Sequence, residues 1–474
     1  MIKNKTTQIR EQAVIDIVRL MRQGELKAGL PKLVRRILPG PNPTYRDSLY
    51  MEREVLMQRI KIYLGLDYKQ TKDLELYELA EHLPAILTET SDWQAGNKII
   101  QVVKEGCDAC PSSGYYISDL CRNCLEKRCV AACPKNAIDL IGNRAVIDKK
   151  KCVNCGLCMR ACNFSAVVKL ERPCKKACPV GAITEDEYGS AEIVTDKCIV
   201  CGRCVQACPF GVIEFIADLP KIVNQMLNGT QLVAIVAPAI LGQFGMSTSF
   251  QTIRESLLKI GFSEVFEAAN GADLVAQEEA EHFSAGGSFM TTSCCPAFVE
   301  YIKKYQPQQI ANISAAVSPM VKMGQLARTL HPDAKIVFFG PCLAKKLETY
   351  NSEVIDYCTT FEGLKILFDF AEINLADNAS EEEMNATVDG WKFACAGGVA
   401  KYVQKIGEHD LRAIAMNGME EAAEVFKKIA DGNYDLLEGM ACRGGCINGP
   451  GVIANPKLTE TLIKKLSELG NRAK

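Results

Sequence analysis

The 474-residue sequence predicts three parts: a helical N-terminal domain over 1–100, a cysteine-rich α+β domain over 101–217, and an α/β region over 218–474. Three observations predict them. The first hundred residues contain no Cys and place apolar side chains at helical intervals. Sixteen of the 23 Cys then fall between Cys107 and Cys208, in a pattern that occurs twice. Beyond 218, short apolar runs that suit buried strands alternate with helical patterns, as in a parallel sheet covered by helices.

In the first part, Ile9, Ala13, Ile17, Leu20 and Met21 predict a helix over 8–21. Leu30-Pro31 and Pro39-Gly40-Pro41-Asn42-Pro43 punctuate the chain. Arg46 to Leu66 is expected to form a longer helix and Leu76 to Leu87 another. The role expected for this part is a packing or docking platform.

The composition narrows the class. Hydrophobic content is 48%, enough for a folded core, and the net charge is −2, so no nucleic-acid partner is expected. The N-terminus runs into an amphipathic pattern and not a signal-peptide core, and Arg35-Arg36 has no apolar run behind it. No stretch approaches the ~20 apolar residues of a membrane span. A reducing cytoplasm is the expected location.

The Cys spacing carries the chemistry. The first unit reads Cys129-x3-Cys133-Pro134, then Cys152-x2-Cys155-x2-Cys158-x3-Cys162. The second reads Cys174-x3-Cys178-Pro179, then Cys198-x2-Cys201-x2-Cys204-x3-Cys208-Pro209. Cys121-x2-Cys124 precedes the first unit only, and Cys107-x2-Cys110 lies further upstream. Zinc suits isolated CxxC pairs, and Cys107 with Cys110 could be one; it does not suit the repeated x2-x2-x3-Pro rhythm. That rhythm resembles the bacterial two-cluster ferredoxin module, used twice. In that module three close Cys bind one 4Fe–4S cubane and the fourth ligates its neighbour. The resemblance implies four tetrads: Cys121, Cys124, Cys129 and Cys162; Cys133, Cys152, Cys155 and Cys158; Cys178, Cys198, Cys201 and Cys204; and Cys174 and Cys208 completed by Cys107 and Cys110. Three to four accessory clusters are therefore expected.

Three loops in the α/β region belong together. They are Thr291-Thr292-Ser293-Cys294-Cys295-Pro296-Ala297-Phe298, Phe339-Gly340-Pro341-Cys342 through Glu348, and Glu438-Gly439-Met440-Ala441-Cys442-Arg443-Gly444-Gly445-Cys446. Cys295, Cys342, Cys442 and Cys446 form one thiolate tetrad, enough for one cubane, and Cys294 is left over. Strands are expected at 231–237 and 335–340, each ending in a Pro turn, with helices following at 250–260 and 362–370. Ligands of such folds sit beyond the carboxyl ends of the strands, where the Cys342 loop lies.

These loops, with Gly271-Ala272-Asp273-Leu274, Ser318-Pro319 and Ala396-Gly397-Gly398-Val399, resemble the catalytic subunit of iron-only (FeFe) hydrogenases over about residues 100–455. The resemblance implies an α/β fold of two lobes around an H-cluster, preceded by the ferredoxin-like domain. It implies reversible 2H⁺ + 2e⁻ ⇌ H₂, with electrons exchanged with ferredoxin or a similar carrier. Cys295, Cys342, Cys442 and Cys446 would hold the cubane. Cys446 would also bridge to a two-iron subcluster bearing carbonyl, cyanide and a bridging dithiolate, which dedicated maturation factors supply. Lys345 would hydrogen-bond a cyanide, Ala237 and Pro238 would line the pocket, and Met440 would pack over the irons.

Cys294, adjacent to a ligand, is expected to carry protons, since a thiol titrates close enough to neutrality. The expected relay outward is Glu279, then Ser314, then Glu281 or His282. The family usually has an acid where His282 stands. Phe298, Gly340, Met320 and Ala239 depart from its common residues, as does Ile447-Asn448-Gly449-Pro450-Gly451. These departures are expected to surround the two-iron site and alter redox tuning, in a divergent subgroup. The alternative is a hydrogen-sensing or iron–sulfur-assembly relative without significant turnover; retention of Cys294, Lys345 and Glu348 argues against it. Cys358 and Cys395 are expected to be buried thiols, and His331 and His409 surface residues.

Overall fold

The computed structural model describes residues 5–470 apart from 108–109, 112, 379, 381–383, 408–409 and 433. His409 lies outside the described residues. The N-terminal apolar spacing builds a helix, Lys5–Arg22, longer at both ends than its apolar stripe. That stripe packs against helices Leu219–Leu227 and Phe361–Phe370. The N-terminal helices therefore share the core of the α/β region. A buried polar knot adds to the join: Arg10 donates to Glu214 at 2.8 Å and to Glu362 at 3.2 Å, and Arg59 pairs with Glu214 at 3.3 Å.

The helix expected at 46–66 spans Leu49–Tyr63, capped by Ser48, whose side chain accepts from the Met51 N–H. The run expected over 76–87 is two helices, Leu76–Glu81 and Leu83–Leu87. Pro84 explains the break: it lacks an N–H and its ring crowds the preceding turn, so it sits only where a helix starts.

The cysteine-rich part is built of two-stranded antiparallel pairs. Gly114–Ile117 pairs with Val167–Leu170, Ile138–Ile141 with Arg144–Ile147, and Ile183–Glu185 with Ala191–Ile193. Ile100–Val102 pairs with Ile213–Phe215 and closes the region, so its first strand begins one residue before 101. The x2 loops turn at Gly156 and Gly202, both at φ +76°, a conformation glycine adopts without strain.

The α/β region holds two parallel sheets. One orders its strands Phe262–Glu267, Leu232–Val236, Lys335–Phe339, Tyr357–Thr359; the other Met290–Thr291, Leu436–Met440, Ala413–Asn417. Leu232–Val236 and Lys335–Phe339 are buried almost throughout, as central parallel strands require. Among the described residues no helix is long and apolar enough to cross a membrane.

Candidate metal centre and its relay of cluster sites

Each of the three loops leaves the carboxyl end of a parallel strand. Thr291 ends one strand, and Cys295 caps the start of helix Pro296–Tyr305. Phe339 ends another, five residues before helix Ala344–Tyr350. Met440 ends the third. Backbone bonds lace the loops together: Gly451 N–H to Pro341 C=O at 2.7 Å, Ile447 N–H to Ala394 C=O at 3.3 Å, and Thr292 N–H to Leu437 C=O at 2.9 Å. With so little slack, side chains from distant segments hold fixed positions.

Those side chains enclose one cavity. Cys294, Cys295, Cys342 and Cys446 line it with Lys345, Ala237, Pro238 and Met440. Apart from the thiols and the ammonium, the wall is apolar, with Met320, Phe338 and Phe393 among its members. Cys442 stands behind it, an electrostatic neighbour of Cys342, Cys295 and Cys446. Burial pushes Cys342 up to about 11 and raises Cys295, Cys442 and Cys446 as well. Burial works to lower Lys345, but Glu348, at 2.6 Å, and Cys342 outweigh it and the ammonium is held charged.

Cys294 is also raised by burial, and its electrostatic neighbours include Glu279, Glu438 and Cys446. Glu279 is 1% exposed, and burial pushes its carboxyl up to about 8 despite an opposing contribution from Ser314. Neither oxygen of Glu279 makes a well-formed hydrogen bond, so Ser314 is a neighbour and not a fixed partner. His282 lies three positions on along helix Ala268–Ser284, is exposed, and meets the Ser288 carbonyl at 3.1 Å. Glu281 does not join this line. Two positions from Glu279, it falls on the other side of the helix and is exposed. Glu438 was not among the expected path residues: fully buried, it accepts from Gly397 N–H at 2.7 Å and Ala400 N–H at 2.9 Å. Its place in the Cys442 loop was the one signal for it.

Of the expected departures, only Met320 lines the cavity. Phe298 is buried against Gly439, where an added Cβ would meet its ring at 2.2 Å. Gly340 and Ala239 lie behind the wall. These three therefore do not surround the site; they shape it through packing. Cys358 is buried; Cys395 is only partly so, correcting the expectation. His331 meets Glu264 at 2.5 Å.

The remaining Cys gather in four groups. Cys121, Cys124, Cys129 and Cys162 line one pocket; Cys133, Cys152, Cys155 and Cys158 a second; Cys107, Cys110, Cys174 and Cys208 a third. Cys178, Cys198, Cys201 and Cys204 are mutual electrostatic neighbours. Cys204 also feels Cys174, and Cys442 feels Cys201, so two groups lead toward the cavity. Lys304, on helix Pro296–Tyr305, donates to the Cys198 carbonyl at 2.6 Å.

These groups fit iron–sulfur cubanes better than single ions. Among the described residues no group of three or more His, Cys, Asp or Glu is placed to hold a single metal ion, whereas a cubane takes one Cys thiolate at each of its four irons. The Cys107 pocket adds a second sign. Arg172 lines it at 3% exposure, its Nε ion-paired with Glu185 at 3.6 Å, while Nε and Nη1 lack a hydrogen-bond partner. A buried guanidinium with orphaned donors suits an anionic group beside it.

Fold and site together define an iron–sulfur protein in which cluster sites lead to one central cavity. Residues 230–450 match the family described as iron only hydrogenase large subunit, C-terminal domain. Residues 120–166 match a 4Fe-4S dicluster domain and 168–219 the LdpA Fe-S cluster-binding domain. The cofactors of these domains are the H-cluster and 4Fe–4S clusters. Iron hydrogenase 1 of Clostridium pasteurianum is 28% identical over 408 residues, covering 70% of each chain. The periplasmic [Fe] hydrogenase large subunit of Nitratidesulfovibrio vulgaris is 28% identical over 390 residues, covering 68% of this chain and 89% of that one. The NADP-reducing hydrogenase subunit HndD of Solidesulfovibrio fructosivorans is 26% identical over 398 residues, covering 64% of this chain and 63% of its own length.

Proposed function

We propose that this chain is a ferredoxin-type FeFe hydrogenase that interconverts protons and electrons with H₂. One observation carries the proposal: a largely apolar cavity brings a spare thiol, Cys294, and a buried cation, Lys345, together with Cys295, Cys342 and Cys446. A purely structural cubane site needs neither Cys294 nor Lys345. Cys295, Cys342, Cys442 and Cys446 would hold the cubane, and Cys446 would also tether the two-iron subcluster. The H-cluster, when bound, supplies the irons at which protons and electrons combine.

The chain's own residues do the rest. Met320, Phe338, Phe393 and Met440 exclude water, which strengthens every charge interaction inside. Lys345 offers up to three donors to anionic groups in the cavity. Ala237 and Pro238 shape its far wall. Cys294 holds a proton at the cavity, and Glu279, kept protonated near neutral pH by burial, stands next in line. Ser314 then leads toward His282 at the surface. Electrons cross the accessory Cys groups and reach the cavity through Cys201 and Cys442. The electron partner is ferredoxin or a similar carrier, maturation factors deliver the two-iron subcluster, and the cytoplasm is the compartment.

Infrared spectroscopy of the matured protein tests this. Bands of iron-bound carbonyl and cyanide are expected; their absence after maturation removes the proposal. Cys294→Ala is expected to keep those bands and to lose roughly 10²-fold or more of hydrogen evolution, the scale of a positioned acid–base group. Near-normal turnover in that variant would remove Cys294 from the proton path.

A further inference from the structure

The segment 113–170, which carries two of the four accessory Cys groups, stands apart from the rest of the molecule. Its core is its own: Tyr115, Ile138, Ala145, Ile147, Cys158 and Val167. Its strands and helices pack chiefly on one another. Two short connections join it to the remainder, from Cys110 to Gly114 and from Leu170 to Cys174, so the Cys107 pocket sits at its base.

Two surface properties coincide there. Among the described residues, nine of the twenty exposed large apolar side chains lie in this segment, Leu125 at 96% exposure being the extreme. The segment also holds ten Lys and Arg against four Asp and Glu, a net of +6, in a chain whose total is −2. The two properties meet at the cluster pockets. Arg122, Lys127 and the half-exposed Phe164 line the Cys121 pocket, and Lys135 and Val153 line the Cys133 pocket. Arg122, Lys127 and Lys135 are exposed and make no ion pair among the described residues.

Apolar groups beside unpaired cations over a redox site are the anatomy of a small, transient interface. The charge selects the occupant. Bound cubanes with their thiolates are anionic and offset part of that charge, yet a second copy meeting this face symmetrically would still set like charge against like, which opposes association. A partner rich in Asp and Glu is drawn in and oriented.

We propose that residues 113–170 are the docking face for a small acidic electron-carrier protein with a redox centre near its own surface, received over the Cys121 and Cys133 pockets. The proposal rests on the electron relay described above but not on hydrogen turnover. In it one electron leaves the reduced carrier and one accessory cluster is reduced, with no proton or bond change.

The test uses the full-length chain with its accessory clusters reconstituted and a reduced, acidic plant-type ferredoxin as probe. Cluster reduction is followed by stopped-flow absorbance, which needs no two-iron subcluster. The second-order rate constant is expected to fall steeply as ionic strength rises. In the triple variant Arg122→Glu, Lys127→Glu, Lys135→Glu it is expected to fall at least tenfold and to lose most of its salt dependence. Reduction by methyl viologen, a small cation, should not slow in that variant. A rate in the unaltered chain that is flat or rises with salt overturns the proposal, whatever the variant does. So does a variant that reacts like the parent, or a dimer in sedimentation whose contact covers this face. Missing carbonyl and cyanide bands would remove the hydrogenase proposal and leave this result standing.

Discussion

The two cysteine-rich units share a ligand spacing and little else. The first is an outlying, basic knob in which Cys155 is exposed. The second is sunk into a core that runs on into the catalytic sheets, with Ile199, Val200, Val205 and Val212 buried. The residues between the ligands make the difference. Val153 and Asn154 in the first unit become Ile199 and Val200 in the second, and Met159 becomes Val205. Val200 holds φ +54°, a conformation β-branched residues rarely adopt, and the surrounding core keeps it there. Spacing decides that a cluster is held. What lies between the ligands decides whether it faces a visitor or a neighbour.

Removing iron should break the pair apart most visibly. Tyr115, Ile138, Ala145, Ile147 and Val167 are too few to hold a fold without the clusters, whose binding energy is folding energy. Under a chelator and oxidant, amides in 113–170 are expected to lose protection from hydrogen exchange by several orders of magnitude, while those in 199–216 stay protected. Equal loss in both segments would mean that the second unit gains nothing from its larger core.

The glycines of the two x2 loops should separate the units next. A Cβ on Gly202 would stand 2.8 Å from Pro450 and 2.9 Å from Leu343, in the loops of the catalytic cavity. A Cβ on Gly156 would meet only Tyr115, inside its own knob. Gly202→Val and Gly156→Val each force a strained φ and are expected to cost about 1–3 kcal/mol. Only Gly202→Val pushes the second unit away from Cys442, so only it should slow ferredoxin-driven turnover, roughly tenfold or more, with iron content retained. Similar turnover in both variants would show that this contact does not govern electron delivery.

The smallest effect concerns charge. Arg172 and Lys127 each precede a ligand by two positions, Cys174 and Cys129. Arg172 is buried and Lys127 exposed, so the same offset places one cation in low dielectric and the other in water. Arg172→Leu is expected to lower the reduced-to-oxidised ratio of the cluster in the Cys107 pocket about tenfold at fixed potential, 59 mV for one electron. Lys127→Leu should change its own cluster by far less. A redox titration followed by electron paramagnetic resonance reads both.

Much of the centre was legible in the sequence because Cys beside Gly or Pro at strand ends is a local signal. The groupings of Cys121, Cys133, Cys107 and Cys178 with their partners are those the resemblance to the two-cluster ferredoxin module implies, and the structure brings the same residues together. The split at Pro84 was missed, one helix being expected over 76–87, although proline acts on its own turn. Burial is another matter. That Arg172 is enclosed, that Glu438 stands near Cys294, and that Lys5–Arg22 completes the core of a distant sheet depend on chain segments far away. Glu281 went astray for a simpler reason: adjacency in sequence put it beside His282, while helix geometry turns it away.

The bare loop at Gly202 bears on ancestry and on engineering alike. Cluster-carrying cassettes are attractive parts to transplant between redox proteins, yet this one abuts its host through a spot with no room for even a methyl group. A donor cassette bearing any larger residue there would be spaced off from its new acceptor, however well its cysteines matched. Successful recombination therefore hinges on a codon that binds no iron at all.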